Sequence, residues 1–167
     1  MSYYFFVSVY YLGGCDGSSG PISISPETDQ VYGASFPEVS VKDWVNAQKN
    51  LLEHFKISAW EMVAGGSLGG MQALQWSIDY PEKVHNVVHI AGALKHSAQN
   101  IAFHEVGRQA IMNDTNWNKG SYILNGLIPE RGLAVARMIA HITYLSDNAM
   151  HRKFGRKLQS RDIISFG

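Results

Sequence analysis

The chain has 167 residues, 46% of them hydrophobic and 17% charged, a balance that suits a globular domain and excludes a disordered one. Lys+Arg and Asp+Glu are equal at 14 each, so there is no basic excess of the kind that nucleic acid or an anionic membrane surface recruits. The single cysteine, Cys15, cannot form an internal disulfide, which points to a reducing, cytoplasmic setting. The opening residues lack the Lys/Arg of a signal peptide, and no apolar run reaches the length of a bilayer span.

Residues 3–12 are aromatic, β-branched and nearly continuous, which predicts a strand buried on both faces. The Gly/Ser/Pro-rich stretch that follows predicts a long loop. Cys15 within it is expected to be a packed loop residue. The loop follows a strand-like run but lacks G-x-G-x-x-G and meets Pro21, which argues against a nucleotide loop. Ser40 and Asp43 have the spacing of a helix N-terminus, and apolar residues at helical spacing predict a helix over 41–55. Residues 60–64 read as a strand, 71–80 as a helix ended by Pro81, and 84–90 as the next strand. This alternation predicts a parallel α/β sheet. Residues 97–112 and 129–153 read as helices joined by a polar loop, with Pro129 in a first-turn position.

Gly65-Gly66-Ser67-Leu68-Gly69 matches G-x-S-x-G. Glycine and serine are common, so the pattern alone is weak. A strand before it and a helix after it give the context of a nucleophile elbow, with Ser67 on a strained turn at the strand's carboxyl end. The Leu68 backbone N–H would then be one oxyanion donor. The bland alternative is a serine that only caps a helix. A hydroxyl also needs a base, and none of His85, His89, His96, His104, His141 and His151 follows a late strand. His85 and His89 lack H-E-x-x-H, so no metal site is expected. Arg137, His141 and Tyr144 share one face of the 129–153 helix, beside a separate apolar face of Val135, Met138, Ile142 and Leu145. That polar stripe either lines a cleft or is a solvated surface.

Five blocks together are similar to homoserine O-acyltransferases, usually acetyltransferases of methionine biosynthesis. They are LGGCDGSSGP (12–21), ISPETDQVYGASFP (24–37), GGSLGGMQALQW (65–76), HSAQNIAFHEVGRQAI (96–111) and PERGLAVARMIAHITYLS (129–146). The resemblance implies a partial α/β-hydrolase core over residues 1–95 and part of a helical lid over 96–167. It implies ping-pong transfer of an acetyl group from acetyl-CoA, as co-substrate, to the hydroxyl of L-homoserine through an acyl-enzyme on Ser67. No permanently bound cofactor is expected. Arg137 would hold the homoserine carboxylate, with Tyr144 nearby in the substrate site. The lid helices are a candidate surface for a homodimer. The family's triad Asp and His, and its other oxyanion donor, have no counterparts in this sequence, which implies little or no activity for the chain as it stands. A serine hydrolase of the same fold and a non-catalytic paralogue are the rival readings.

Overall fold

The computed structural model describes residues 4–14 and 16–155. The expectations for Cys15 and for the lid-like sequence from 156 onward lie outside the described residues. The chain divides into two compact units, with the boundary between His96 and Ser97.

The first unit is organised around a parallel strand pair. Helix α1 spans Val41–Phe55 and opens with a complete capping box. The Asp43 backbone N–H donates to Ser40 Oγ (3.3 Å), while the Ser40 backbone N–H donates to Asp43 Oδ2 (2.8 Å). Strand β1 spans Trp60–Gly66, helix α2 Leu68–Asp79 and strand β2 Val84–Ile90. β1 and β2 pair in parallel from Trp60 opposite Val84 to Gly66 opposite Ile90, as a strand–helix–strand crossover requires. The core is small: Val45, Leu52 and Trp76 are buried together, with Trp60, Val63 and Tyr80 packed against them. Polar groups in it are joined. Trp76 Nε1 donates to Gln48 Oε1 (2.9 Å), and Gln48 Nε2 donates to Gln72 Oε1 (2.6 Å). Gln48, which interrupts the apolar face of α1, therefore carries an internal hydrogen-bond chain.

The strand predicted over residues 3–12 does not form among the described residues. A strand is defined by its ladder, and nothing in the described chain pairs with residues 4–12, so Phe5, Phe6 and Tyr10 stay exposed. The segment is nevertheless anchored: the Phe5 ring packs edge-on against Phe55, and Tyr11 packs against Trp44. Trp44 Nε1 also donates to the Leu12 carbonyl (2.8 Å).

The second unit packs helix α3, Ala98–Met112, against helix α4, Glu130–Tyr144. Small residues allow the approach. A Cβ on Gly132 would lie 2.5 Å from the Ala110 carbonyl oxygen and 2.7 Å from Ile111 Cα. The predicted loop between the helices holds two short 3₁₀ segments, Thr115–Gly120 and Ile123–Asn125. The single helix predicted over 129–153 is two helices. Leu145 leaves helical geometry and Ser146 caps a new helix α5, Asp147–Phe154, by accepting from the Ala149 N–H at 3.2 Å. Ser followed by Asp is an N-terminal signal, and it overrode the continuing apolar spacing.

Candidate active site

Ser67 lies between the last residue of β1 and the first of α2. Its backbone has φ 53° and ψ −117°, a region that costs a non-glycine residue about 1–3 kcal/mol. The strain is held from both sides. The Ser67 N–H donates to the Ile90 carbonyl at the end of β2 (2.8 Å), and its carbonyl accepts from the Met71 N–H (3.1 Å). The Ser67 side chain makes no N-cap hydrogen bond, so the bland alternative of a capping serine is not what this geometry displays. Ser67 is exposed.

The glycines around it have distinct reasons. A Cβ on Gly65 would sit 2.0 Å from the Gly69 carbonyl oxygen and 2.8 Å from the Gly70 nitrogen, so α2 can leave the strand this steeply only over a bare Cα. A Cβ on Gly70 would meet the Gly65 and Ile90 carbonyls at 3.1 and 3.2 Å. Gly92 was not singled out from the sequence. A Cβ there would lie 3.0 Å from the Ser67 carbonyl oxygen and 2.4 Å from His89 Nε2. The Ala-Gly pair just beyond β2, with Ala91 at φ 49°, was its only sequence signal.

Leu68 opens α2 directly after Ser67. The N–H groups of a first helical turn have no acceptor within the helix and carry partial positive charge, so they favour an anion forming beside Ser67. The His89 imidazole comes close to Ser67, since a Cβ on Gly92 would touch both its Nε2 and the Ser67 carbonyl oxygen, but among the described residues no carboxylate hydrogen-bonds its ring. His85 Nδ1 lies 3.1 Å from Glu61 Oε2, an imidazole–carboxylate pair of suitable type. Glu61 is six residues before Ser67 on β1, however, roughly 20 Å away at the strand rise. His85 and His89 are four apart on β2, about 13 Å, too far to share one metal ion. Among the described residues no group of three His, Cys, Asp or Glu side chains could hold a metal.

In the second unit, Arg137, His141 and Tyr144 fall on α4, and all three are exposed. The neighbouring stripe of Val135, Met138 and Ile142 is exposed as well, at 44, 55 and 62%. The face of α4 turned to α3 is Gly132, Ala136, Ile139 and Ala140 instead. A groove of about 450 Å³ between the two helices is lined by Phe103, Gly107, Ala136, Ile139, Thr143 and Tyr144, among others. Tyr144 thus borders a cavity, while Arg137 is not part of that lining. Ser67 and Leu68 belong to the first unit, Arg137 and Tyr144 to the second.

Comparison with known proteins follows the same outline. The chain is 56% identical over 164 residues to a homoserine O-acetyltransferase of Rhodospirillum rubrum, a match that takes in 98% of the chain and 42% of the relative. It is 56% identical over 157 residues to a homoserine O-succinyltransferase of Neisseria gonorrhoeae, 94% of the chain and 41% of the relative. The crystal structure of esterase E22 superposes on 86% of the chain and 40% of its own length, with a TM-score of 0.73 and 36% identity. The chain therefore spans about two fifths of the length of the curated relatives it matches. No helix among the described residues is long and apolar enough to cross a membrane. The model of the alpha/beta hydrolase fold matches residues 5–164, which includes the strand, the strained serine and the helix of the elbow, and the chain belongs to that family.

Proposed function

We propose that this chain is the nucleophile-and-lid portion of a homoserine O-acyltransferase, with residues 1–95 as partial core and 96–167 as partial lid. The observation that carries the reading is Ser67, exposed and held at positive φ between β1 and α2. Its Oγ attacks the acyl-CoA thioester carbonyl, and the carbon–sulfur bond breaks to release CoA. The hydroxyl of L-homoserine then takes the acyl group and Ser67 is restored. The Leu68 N–H stabilises the oxyanion in each half-reaction. Arg137 supplies a planar guanidinium suited to the homoserine carboxylate, and Tyr144 borders the same substrate. Acetyl-CoA is the donor of this reading, although acetyltransferase and succinyltransferase names recur alike among the similar sequences. The succinyltransferase names at equal identity make succinyl-CoA the first competitor. A cytoplasmic location and a homodimer through the lid helices belong to the same proposal.

Among the described residues no hydrogen-bonded imidazole–carboxylate pair lies beside Ser67, so the 167-residue chain alone is expected to transfer little or no acyl group. The likeness to an esterase favours a second reading, acyl release to water by the same serine. A fluorophosphonate probe followed by peptide mapping tests the nucleophile in a hybrid in which the chain replaces the matched region of the Rhodospirillum rubrum relative, so that the relative's flanks can supply a base. Labelling at Ser67, abolished in Ser67→Ala, supports it. An inert Ser67 in a folded hybrid favours a non-catalytic paralogue. A product assay on the hybrid, with and without homoserine, separates transferase from hydrolase. Rapid CoA release that depends on homoserine, from the 167-residue chain alone, would refute the expected inactivity.

A further inference from the structure

The carboxyl end of β2 carries one side chain in a corner where its neighbours have none. His89 stands opposite Gly65 in the parallel register. The corner is completed by Gly70, in the first turn of α2, and by Gly92, just past β2. A Cβ on Gly92 would lie 2.4 Å from His89 Nε2 and 3.1 Å from its Cε1, and a Cβ on Gly70 would lie 3.1 Å from its Cδ2. A carbon–carbon bond is about 1.5 Å long, so the edge of the imidazole lies against both bare Cα atoms. The same point on Gly92 is 3.0 Å from the Ser67 carbonyl oxygen. The main chain on either side of the ring belongs to the elbow. The Ser67 N–H donates to the carbonyl of Ile90, the residue after His89, and the Ser67 carbonyl accepts from the N–H of Met71, the residue after Gly70. His89 is otherwise exposed.

We propose that His89 is a positioning residue: its ring, seated between Gly70 and Gly92, spaces the first turn of α2 from the turn after β2 and so keeps Ser67 in the strained conformation from which it attacks the acyl donor. What can move decides the matter. A ring removed from among larger side chains leaves a space into which they partly relax. Here the neighbours are glycines, so only main chain can move in, and that main chain is Ser67, Gly70, Ile90, Ala91 and Gly92. Such a movement lets Ser67 leave φ 53° for an ordinary backbone conformation, which its strain favours. His89 thus acts through the elbow and not on substrate. This rests on Ser67 being the nucleophile, as proposed above.

The test reads the elbow with and without chemistry. In the 167-residue chain, amide hydrogen exchange at Ser67 and Met71 reports the two hydrogen bonds that hold the turn. His89→Ala should speed both by about tenfold or more while the amides of α1 keep their rates. Adding Gly92→Ala should offset part of that loss, because its Cβ refills the space the ring has left, whereas on the wild-type background the same Cβ collides with Nε2. In the hybrid with the Rhodospirillum rubrum flanks, His89→Ala should slow fluorophosphonate labelling of Ser67 by about tenfold or more and leave the KM for homoserine unchanged. Unchanged exchange in His89→Ala overturns the proposal, as does a double variant that exchanges faster than the single one. Where His89→Ala does not fold, His89→Ser carries the same comparison, and wild-type exchange there overturns the proposal too. Faster exchange with undiminished labelling confines His89 to the fold and overturns its part in the reaction. A wild-type hybrid that takes no label sinks the proposed function instead, and the exchange rates then decide on their own whether His89 holds the elbow.

Discussion

The proposed chemistry turns on one backbone conformation. A free serine would not adopt φ 53°, so the surrounding atoms must make every alternative worse. Gly65 is the residue whose size decides this. An alanine there would drive its Cβ to 2.0 Å from the Gly69 oxygen and 2.2 Å from its carbon, both main-chain atoms with no rotamer to move. Gly65→Ala should therefore displace α2 and cost about 3 kcal/mol or more, enough to lose the urea transition of so small a core. Gly69 belongs to the same motif but meets nothing within 4 Å where its Cβ would go, outside its own helix. Gly69→Ala should be neutral or stabilise by up to about 1 kcal/mol through helix propensity. Equal losses in the two variants, by circular dichroism in urea, would show that the steric reading of the elbow is wrong.

Single elements follow local rules more closely than the sheet does. The α1 capping box predicts that Ser40→Ala destabilises the first unit by about 1 kcal/mol. A loss below about 0.3 kcal/mol in urea would mean that packing, not the cap, fixes this terminus. The start of α4 relies on charge. Asp114 Oδ2 accepts from the Gly132 N–H (2.8 Å) and Oδ1 from the Asn116 N–H (2.9 Å). These backbone donors hold its carboxyl below the usual carboxylate range. A group with a depressed folded pKa stabilises the fold above its unfolded pKa, and that contribution is lost as pH falls through the folded value. Melting temperature of the wild type should thus fall more steeply below about pH 4 than that of Asp114→Asn. Parallel acid limbs for the two proteins would contradict the assignment.

The same scale explains what could be read ahead of the structure. Helix 41–55 and strand 84–90 were legible to the residue, because cap and periodicity are local. The elbow was legible because G-x-S-x-G stood between a strand and a helix. α2 begins at Leu68 rather than Met71, since Gly69 and Gly70 hide the helix start from any propensity argument. Residues 3–12 misled, because aromatic and β-branched composition reports fitness for a ladder and says nothing of whether a partner is there. The face of α4 that packs on α3 was missed for a related reason. Its glycine and alanines look featureless beside Val135, Met138 and Ile142, yet only small residues let the helices approach.

For the whole molecule the question is how much apolar surface is withdrawn from water. Among the described residues the buried hydrophobics are Val45, Leu52, Ala73, Trp76 and Val84. Against them stand Phe6 at 87%, Leu94 at 86%, Ile78 at 62% and Ile142 at 62% exposure. Denaturant sensitivity scales with the surface newly exposed on unfolding, and small well-packed domains give urea m values of about 1–3 kcal/mol/M. A chain of 167 residues with so few buried side chains should fall near the bottom of that range, about 1 kcal/mol/M. Three of the four tryptophans, Trp44, Trp60 and Trp76, lie in the first unit, while α3, α4 and α5 lie in the second, so tryptophan fluorescence and helical ellipticity weight the units differently and should not report one shared midpoint. Urea titration followed by both signals measures this directly. A single coincident transition with m above about 2 kcal/mol/M would require more burial than these side chains provide.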